Sequence, residues 1–162
     1  MDNKDLFQNL HSQFDDAILF EESSNEIFTL GVKSESLKKI IQYLKNEEGF
    51  IFLTDLCGTH YPDQELELGI VYLLHNLKEN KRIRIKTFVS KESPIIDSIT
   101  SVFSGANWME RETFDFFGVL FTGHPKLERI LNVEFMNYHP MRKEYPLEDA
   151  TRLDKNDSYF GR

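Results

Sequence analysis

The sequence predicts an α+β fold, in which a mainly antiparallel sheet packs against helices and is followed by an extended C-terminal tail. Segments with the two-residue period of strands precede and separate a few helical segments, without a regular strand–helix–strand alternation. Two alternating segments, 65–74 and 82–89, flank a polar turn at 76–80 and predict an antiparallel pair with one solvated face. Beyond Leu131 the chain has no periodicity, although it keeps many aromatic residues.

Three segments have apolar residues at helical spacing, and we expect helices over 2–14, over 34–48 and from residue 107 to residue 117. Each of the first two has an apolar face that would pack on the sheet. The residues of these faces are Leu6, Phe7 and Leu10 in the first helix, and Leu37, Ile40, Ile41 and Leu44 in the second.

Residue types at the ends of the second and third helices match helix-capping preferences. Ser34 and Asn107 are expected N-caps, and Glu110, three residues after Asn107, would complete a capping box. Gly49 and Gly118 are expected to end the two helices, because glycine readily adopts the left-handed conformation found there.

Further strands are predicted over 17–20 and 27–32, joined by a polar turn at 23–25, and over 50–56, whose apolar run indicates a buried strand. The pair Ser93-Pro94 predicts the start of a short helix. In the segment 82–89, apolar side chains would face inward and cations outward. The inward residues are Ile83, Ile85 and Val89, and the outward ones are Arg82, Arg84 and Lys86.

Composition narrows the class of protein. The chain has 162 residues, of which 40% are hydrophobic, enough for one domain with a sizeable core. It contains no run of eighteen apolar residues, and its acidic first residues predict no signal peptide. A single cysteine excludes an internal disulfide. The net charge of −8 argues against nucleic-acid binding.

Charge is unevenly distributed along the chain. Residues 123–162 contain seven Lys or Arg and seven Asp or Glu, so residues 1–122 carry the whole net charge of −8. We therefore expect two units: an α+β globular domain over 1–122 and a partner-docking tail over 123–162. An acidic body binds anionic lipid poorly, so any membrane association would depend on a partner.

A charged cluster on the third helix is the first candidate for chemistry. Arg111 and Asp115 lie four residues apart, and Glu112 and Asp115 lie three apart, with Glu110 beside them. Paired carboxylates can share a proton and act as acid and base, which would make the chain an enzyme on its own. The alternative, which we favour, is that the arginine satisfies a carboxylate and the cluster joins the helix to the tail.

Two histidines and one cysteine are weaker candidates. His124 and His139 are each followed by proline, but no metal-ligand spacing surrounds them, which favours structural hydrogen bonding over zinc. Cys57 and His60 could form a nucleophilic pair, yet Cys57 at the end of an apolar run is better explained as a small core residue. The chain has no glycine-rich nucleotide motif.

The tail has too many large side chains for a free disordered segment and too little periodicity for a helix. An extended segment with alternating anchors fits a groove on a partner, where Arg142 and Lys143 would meet carboxylates. The alternative is that the tail folds back on its own domain. Its large side chains are Val133, Phe135, Met136, Tyr138, Met141, Tyr145, Leu147, Leu153, Tyr159 and Phe160.

The densest motif covers residues 105–131, GANWMERETFDFFGVLFTGHPKLERIL, and continues at 139–149 as HPMRKEYPLED. Together with FLTDLCGTHYPD at 52–63, it resembles the thirty-kilodalton subunit of proton-pumping NADH–quinone oxidoreductase, respiratory complex I. Met141, Tyr138 and Glu128 depart from the family pattern. The matching positions are Ala106, Asn107, Trp108, Glu110, Arg111, Glu112, Asp115, Phe117, Gly118, Phe121, Gly123, His124, Pro125, Leu127, Arg129, Ile130, Leu131, His139, Pro140, Arg142, Lys143, Tyr145, Pro146 and Leu147.

The resemblance implies a non-catalytic subunit of the peripheral arm of that complex, on the cytoplasmic side of the bacterial inner membrane. Its expected neighbours are the quinone-site subunit related to the hydrogenase large subunit and an adjacent iron–sulfur subunit. FMN and iron–sulfur clusters would lie on partner subunits, with no catalytic, cofactor or metal site on this chain. The implied core or interface anchors are Trp108, Phe114, Phe117 and Phe121.

The resemblance also implies a set of partner-binding residues on the third helix and the tail. These are Glu110, Arg111, Glu112, Asp115, His124, Arg129, His139, Arg142, Lys143 and Tyr145. An alternative within the wider family is the equivalent subunit of a membrane-bound hydrogenase or of a ferredoxin- or deazaflavin-dependent quinone oxidoreductase.

Overall fold

A computed structural model describes residues 3–24 and 27–145 of the chain. The described part contains three α-helices, two short 3₁₀ turns at Asp15–Ala17 and Ser34–Ser36, and seven strands. The helices are α1 (Asn3–Phe14), α2 (Leu37–Asn46) and α3 (Ala106–Phe117). The strands are β1 (Ile18–Ser24), β2 (Ile27–Val32), β3 (Phe52–His60), β4 (Leu68–Asn76), β5 (Lys81–Val89), β6 (Ile95–Asp97) and β7 (Leu120–Thr122).

Five strands form one sheet in the order β1-β2-β5-β4-β3. Every neighbouring pair is antiparallel except β2 and β5, which run parallel. The predicted α+β class with a mainly antiparallel sheet is therefore confirmed. The alternating pair at 65–89 is also confirmed as β4 and β5, joined by a four-residue turn in which Asn80 has a φ of 52°. The turn predicted at 23–25 starts too early, because Ser23 and Ser24 belong to β1, and Asn25 lies outside the described residues.

One face of the sheet forms the core with the helices. The apolar face of α2 is fully buried, as its spacing predicts, and Leu6 and Leu10 of α1 are buried as well. The strands contribute alternate residues to the same core: Leu68, Ile70, Tyr72 and Leu74 from β4, and Ile83, Ile85 and Val89 from β5. The opposite face of the sheet carries mostly half-buried and exposed residues, although Thr29, Gly31 and Gly69 on it are buried.

Three predicted helix starts are wrong. Ser34 begins a 3₁₀ turn, and α2 starts at Leu37 with no side-chain cap. Asn107 lies inside α3, which Gly105 precedes, so no capping box forms. The segment after Pro94 is the strand β6, because β7 binds it in parallel: Leu120 N–H donates to Pro94 O at 2.6 Å and Ser98 N–H to Thr122 O at 2.9 Å. The Ser93-Pro94 start signal predicted a helix there, but the strand-forming isoleucines of this segment pair with β7 instead.

The segment predicted to be a buried strand is instead the edge strand β3, displaced toward the C-terminus. Leu53 and Leu56 reach the core, three residues apart because the register shifts between Leu53 and Asp55, whereas Phe52 and Cys57 are exposed. The prediction that Cys57 is a core residue is therefore wrong. The apolar run predicts burial because Ile51 and Phe52 are large and hydrophobic, yet both lie at the surface.

Gly118 ends α3 in the left-handed conformation, as predicted, with a φ of 78°. α2 ends earlier than predicted, at Asn46 with Glu47 as its C-cap, and Gly49, with a φ of 73°, lies three residues beyond the helix. After β7, residues 123–145 form neither helix nor strand. The predicted boundary between domain and tail falls at the end of β7. Among the described residues, no helix is long and apolar enough to cross a membrane.

Candidate interaction surface

The C-terminal end of α3 is the point at which the tail is attached. The last carbonyls of a helix have no partner within it and must be satisfied from outside. Here the tail supplies the donors: Met141 N–H binds Phe116 O at 3.2 Å, and Arg142 Nε binds Phe117 O at 2.7 Å. A guanidinium at this position also complements the negative end of the helix dipole.

Asp115 is the centre of this attachment. Its side chain is fully buried and accepts hydrogen bonds from three consecutive backbone N–H groups, from an amide and from a guanidinium. The donors are Arg129 Nη1 at 2.7 Å, Ile130 N at 3.1 Å, Leu131 N at 2.8 Å, Asn132 N at 2.9 Å and Asn132 Nδ2 at 3.1 Å. One carboxylate therefore fixes the turn at 129–132.

The environment of Asp115 favours its ionised form. Burial alone would raise the pKa of this carboxyl, but the hydrogen bonds from Asn132, Leu131 and Arg129 outweigh burial and hold the pKa well below its usual range. The attachment is therefore fully charged at neutral pH. An acid–base role needs a carboxyl that exchanges protons near the working pH, and Asp115 does not meet that requirement.

His139 and Arg142 lie directly against Gly118, the residue that ends α3. The His139 Nδ1–H donates to Asp115 O at 3.0 Å, and desolvation lowers the pKa of this imidazole. A Cβ built on Gly118 would be 2.6 Å from atoms of both His139 and Arg142. Glycine is thus required at position 118 for its positive φ and also for the close approach of the tail.

A second attachment holds the end of the described tail against the sheet. The buried His60 accepts a hydrogen bond at Nδ1 from Lys143 N–H at 2.8 Å and donates from Nε2 to Glu67 at 3.1 Å. Lys91 then joins Glu67, at 3.1 Å, to Glu144 of the tail, at 3.3 Å. The described tail therefore folds back on its own domain through its polar groups.

The apolar side chains of the tail are not buried by this folding. Phe135 is 88% exposed and Leu131 is 68% exposed. The other exposed large side chains of the tail are Val133, Tyr138, Met141 and Tyr145. We define the tail surface as the exposed side chains of Leu131, Val133, Phe135, Tyr138, Met141 and Tyr145. Polar contacts hold the backbone of this segment on its own domain, and no apolar residues of the described chain cover these side chains. Leu147, Leu153, Tyr159 and Phe160 lie outside the described residues.

The structure separates the carboxylates that the sequence places together on α3. Glu110 is fully buried on the β6 side, where its two oxygens accept from Ser98 Oγ–H and Ile99 N–H, each at 2.7 Å. Burial raises the pKa of Glu110 to about 7 against those two hydrogen bonds. Glu110 and Asp115 share no hydrogen-bond donor, and Glu112 is exposed. Within the described residues the cluster is thus three separate carboxylates.

The remaining predicted site residues divide between attachment and surface. Arg111 donates to Glu128 O and Arg129 O, and its guanidinium lies 5.3 Å from the ring of the exposed Trp108. His124 binds Asn107 O at 3.1 Å. The Lys143 side chain and the Tyr145 ring, 5.0 Å from that of Tyr138, are exposed.

Sequence reasoning missed several of the residues that hold the tail. Only the fold brings Asn132, Glu67 and Lys91 to the tail attachments, because none of the three belongs to a sequence motif. The sequence offers His60 as a possible nucleophilic partner of Cys57, but His60 is buried and hydrogen-bonded to Glu67 and Lys143, whereas Cys57 is exposed. In the described part of the chain, no group of three His, Cys, Asp or Glu side chains could hold a metal ion.

Comparison with known proteins points to one family. Residues 30–151 match the family described as the 30 kDa subunit of respiratory-chain NADH dehydrogenase. The C subunit of NADH-quinone oxidoreductase from Xanthobacter autotrophicus is 38% identical over 94% of this chain and 74% of its own length. The C subunit of the same name from Paramagnetospirillum magneticum is 40% identical over 80% of this chain, and the match spans 65% of that protein.

Two solved structures have a similar fold. A trypsin-resistant fragment of Nqo5 is 26% identical, with a TM-score of 0.68 over 78% of this chain and 100% of the fragment. A chain of the archaeal membrane-bound sulfane sulfur reductase is 20% identical, with a TM-score of 0.76 over 90% of this chain and 86% of that one, which shows the fold alone. By its sequence match and its fold, the chain belongs to the family of the 30 kDa subunit of respiratory-chain NADH dehydrogenase.

Proposed function

We propose that this chain is a non-catalytic structural subunit of an NADH–quinone oxidoreductase, and that it supports electron transfer from NADH to quinone by holding neighbouring subunits in place. Family membership supports the complex. The observation that carries the structural role is the arrangement of the tail: its polar groups are bound to its own domain while its large apolar side chains remain exposed.

Exposed apolar side chains of this size are costly in water and are typical of surfaces that a partner covers. A disordered tail would lose conformational entropy on binding, whereas a tail already bound at Asp115 and His60 has lost part of it beforehand. The two attachments therefore favour association without contacting the partner. Phe135 and Tyr138 are the aromatic type of side chain that dominates binding energy in protein interfaces.

The proposal assigns six of the ten implied partner-binding residues to two groups. Lys143, Tyr145 and Glu112 have exposed side chains that a partner can contact. Glu110, Asp115 and Arg129 are buried or nearly so within this chain, and their described hydrogen bonds all stay inside it. We propose that these three act by shaping the surface, and that exposed apolar residues of the tail make the contacts.

The proposed neighbours are the quinone-site subunit related to the hydrogenase large subunit and an adjacent iron–sulfur subunit. The FMN and iron–sulfur clusters are proposed to lie on partner subunits, with this chain supplying no redox centre. A peripheral position on the cytoplasmic side of the bacterial inner membrane completes the proposal, with the partner subunits as the attachment.

A second candidate is the equivalent subunit of a related respiratory membrane complex. It is favoured by the fold likeness to a chain of the archaeal sulfane sulfur reductase, at a TM-score of 0.76. The subunits that co-purify with the chain distinguish the two: NADH-binding subunits support the first candidate, and their absence beside a quinone-site-like subunit supports the second.

The test uses the tagged full chain, expressed in its native host in place of the wild type. The double variant Leu131→Ser, Phe135→Ser removes the two most exposed side chains of the tail surface. We expect it to keep the unfolding temperature of the purified chain, because both side chains are exposed, and to lose its co-purifying subunits and the NADH–quinone activity of the membranes.

Leu77→Ser is the matched control, since Leu77 is 54% exposed but lies in the turn between β4 and β5. It should retain both the subunits and the activity. Unchanged subunit stoichiometry in the double variant would contradict the proposed role of the tail surface.

A further inference from the structure

The face of the sheet opposite the helices presents a row of cations. Because alternate residues of a strand point to opposite faces, Arg82, Arg84 and Lys86 of β5 point away from the core that contains Ile83 and Ile85. β5 is the middle strand of the five, so this row runs along the centre of the face. We call this face, with its residues from all five strands, the open face.

The three cations have no carboxylate partner among the described residues. Arg84 reaches only a hydroxyl, that of Thr29 at 3.4 Å, and Arg82 and Lys86 make no described side-chain bond. Lysines elsewhere in the chain do find partners: Lys81 binds Glu79 at 2.8 Å, and Lys91 binds two carboxylates. Within residues 3–24 and 27–145 the row is thus a positive strip without carboxylate partners, on a chain whose net charge is −8.

Carboxylates stand at the two edges of the open face. On one side of β5, Glu22 of β1 pairs with Thr29 of β2, which pairs with Arg84. On the other side, Asp55 of β3 pairs with Leu73 of β4, which also pairs with Arg84. Two strand spacings, about 10 Å, separate the backbone at each carboxylate from the backbone at the arginine. In the described structure, Arg84 bonds to the Thr29 hydroxyl and forms no ion pair with either carboxylate. The pattern is therefore cationic at the centre and anionic at the edges.

Apolar groups accompany the cations on the same face. Val71 and Leu73 of β4 are half-buried beside them. At one end, three rings follow one another across the face: Phe20 lies 6.4 Å from Phe88, and Phe88 lies 5.9 Å from Tyr61. The ring of Phe20 covers Gly31, and Phe88 and Tyr61 approach Gly69, so glycines on β2 and β4 make room for this row.

This charge pattern decides between the possible occupants. A second copy related by a two-fold axis through this face would bring cation row against cation row, which is repulsive. An anionic membrane or a nucleic acid would meet the edge carboxylates and the excess negative charge of the chain. A protein element with carboxylates along its centre and apolar residues beside them complements both the strip and the rings.

Spacing specifies that element further. Same-face residues of a strand are about 6.8 Å apart, and carboxylates four residues apart on a helix are separated by about 6 Å along its axis. We propose that the open face binds an acidic amphipathic helix of another protein, with its carboxylates on Arg82, Arg84 and Lys86 and its apolar side chains on Val71, Leu73 and Phe88. This second interface is distinct from the tail surface and does not depend on it.

Cys57 reports directly on whether the open face is covered. It is the only cysteine of the chain, it is exposed, and it pairs in register with Val71, which pairs with Lys86. The experiment measures alkylation of Cys57 by N-ethylmaleimide, by mass spectrometry, in the purified full chain and in gently prepared extract of the native host. We expect the rate in extract to fall to roughly a tenth or less, because a covered thiol reacts only when the face opens.

The charge part of the proposal is tested by the double variant Arg82→Glu, Lys86→Glu. Arg84 is left in place because it covers the buried Thr29. The matched control is Lys39→Glu, Lys126→Glu, at two exposed lysines that lie on α2 and in the segment after β7, outside the sheet. Protection of Cys57 in extract should disappear in the first variant and persist in the control. Salt at about 0.5 M should reduce the protection of Cys57 in the wild type, because a screening length of about 4 Å leaves little attraction between the cations and the carboxylates of the partner.

For each variant, protection is expressed as the ratio of the Cys57 alkylation rate in the purified chain to the rate in extract. Partial burial and the Asp55 carboxylate raise the pKa of the Cys57 thiol whereas Arg84 lowers it, so charge variants alter the intrinsic alkylation rate as well.

Equal alkylation rates in the purified chain and in extract, or protection that survives charge reversal, would overturn the proposal. Binding of the purified chain to phosphatidylglycerol vesicles that depends on Arg82 and Lys86 and protects Cys57 would also overturn it, in favour of a membrane. Loss of the tail surface alone should leave Cys57 protection intact, which separates this result from the test of the proposed function.

Discussion

Arg129 binds both the side chain and the main chain of Asp115. Its Nη1 donates to Asp115 Oδ1 at 2.7 Å and to Asp115 O at 3.1 Å, while Nη2 donates to the carbonyls of Met136 and Tyr138. One guanidinium thus connects the end of α3 to two later points of the tail. The position of the exposed apolar side chains follows from this connection, because the backbone between them is held at both ends.

Asp115→Asn should release the tail from α3. The amide cannot accept all the hydrogen bonds that the carboxylate accepts, and it leaves the nearly buried Arg129 without its counter-charge. Breaking a buried pair in this way costs about 3–5 kcal/mol. We expect that loss in denaturant unfolding, with faster hydrogen exchange at residues 129–132 than in the sheet.

Glu112→Gln is the control for this change, since Glu112 lies on the same helix with its side chain exposed. Its unfolding free energy should stay within about 0.5 kcal/mol of the wild type. A similar small effect for Asp115→Asn would show that the carboxylate does not hold the tail.

Three glycines separate backbone strain from crowding. Gly118 has a φ of 78° and is crowded by His139 and Arg142, Gly123 has a φ of 82° and open space, and Gly105 has a φ of −63° and open space. Alanine should cost about 1–2 kcal/mol at Gly123 from strain alone. It should cost more at Gly118, where the tail must also move, and little at Gly105. Chemical denaturation of the three variants measures the order, and equal losses at Gly118 and Gly123 would contradict the close approach of the tail.

Arg142→Ala and Lys143→Ala should differ although the residues are adjacent. Arg142 Nε binds Phe117 O at the end of α3, whereas Lys143 uses only its backbone N–H, toward His60. A charge-assisted hydrogen bond contributes about 1.5–3 kcal/mol, so Arg142→Ala should lower the unfolding free energy by that order. Lys143→Ala should leave it nearly unchanged and, if its side chain contacts a partner, weaken only co-purification. Equal destabilisation by both would argue against the role of Arg142 at the helix end.

Glu110→Gln should remove a pH dependence from folding. The pKa of Glu110 is raised to about 7 by burial, above its value in the unfolded chain. A raised folded-state pKa means that stability is greatest below the unfolded pKa, near roughly 4, and falls as pH rises toward the folded value, by on the order of 3 kcal/mol. The glutamine oxygen can still accept a hydrogen bond from Ile99 N–H. The glutamine NH2 group can donate to the Ser98 hydroxyl oxygen, so both hydrogen bonds of Glu110 can be replaced.

The readout is the difference between the wild-type and Glu110→Gln unfolding free energies from about pH 4 to about pH 8. The wild type must be compared with the variant because a second group titrates in the same range. Desolvation lowers the pKa of His139, so the contribution of His139 to the unfolding free energy is lost as pH falls. Asp115, with its lowered pKa, acts in a separate window below about pH 4, where protonation weakens the tail attachment. A flat difference across the range would contradict the raised pKa of Glu110.

Secondary structure followed the sequence where a single period was strong. The faces of α1 and α2, the pair β4 and β5, and the glycine end of α3 were all predictable, because these depend on local spacing and on a backbone conformation that glycine favours. The segment at 95–97 was not, since its three residues become a strand only when β7 lies beside them.

The charged cluster on α3 shows the same division at the candidate site. The helix and the family could be predicted from residues 105–131. The different hydrogen-bond partners of Glu110 and Asp115 could not, because Ser98 and Asn132 lie outside this helix and meet it only in the folded chain. The sequence by itself determined the fold class, the family and the presence of an aromatic tail, since patterns of residue type and spacing encode these. Only the tertiary structure decided that the tail binds its own domain through polar groups and leaves its rings outside, because hydrogen-bond partners distant in sequence meet only once the chain has folded.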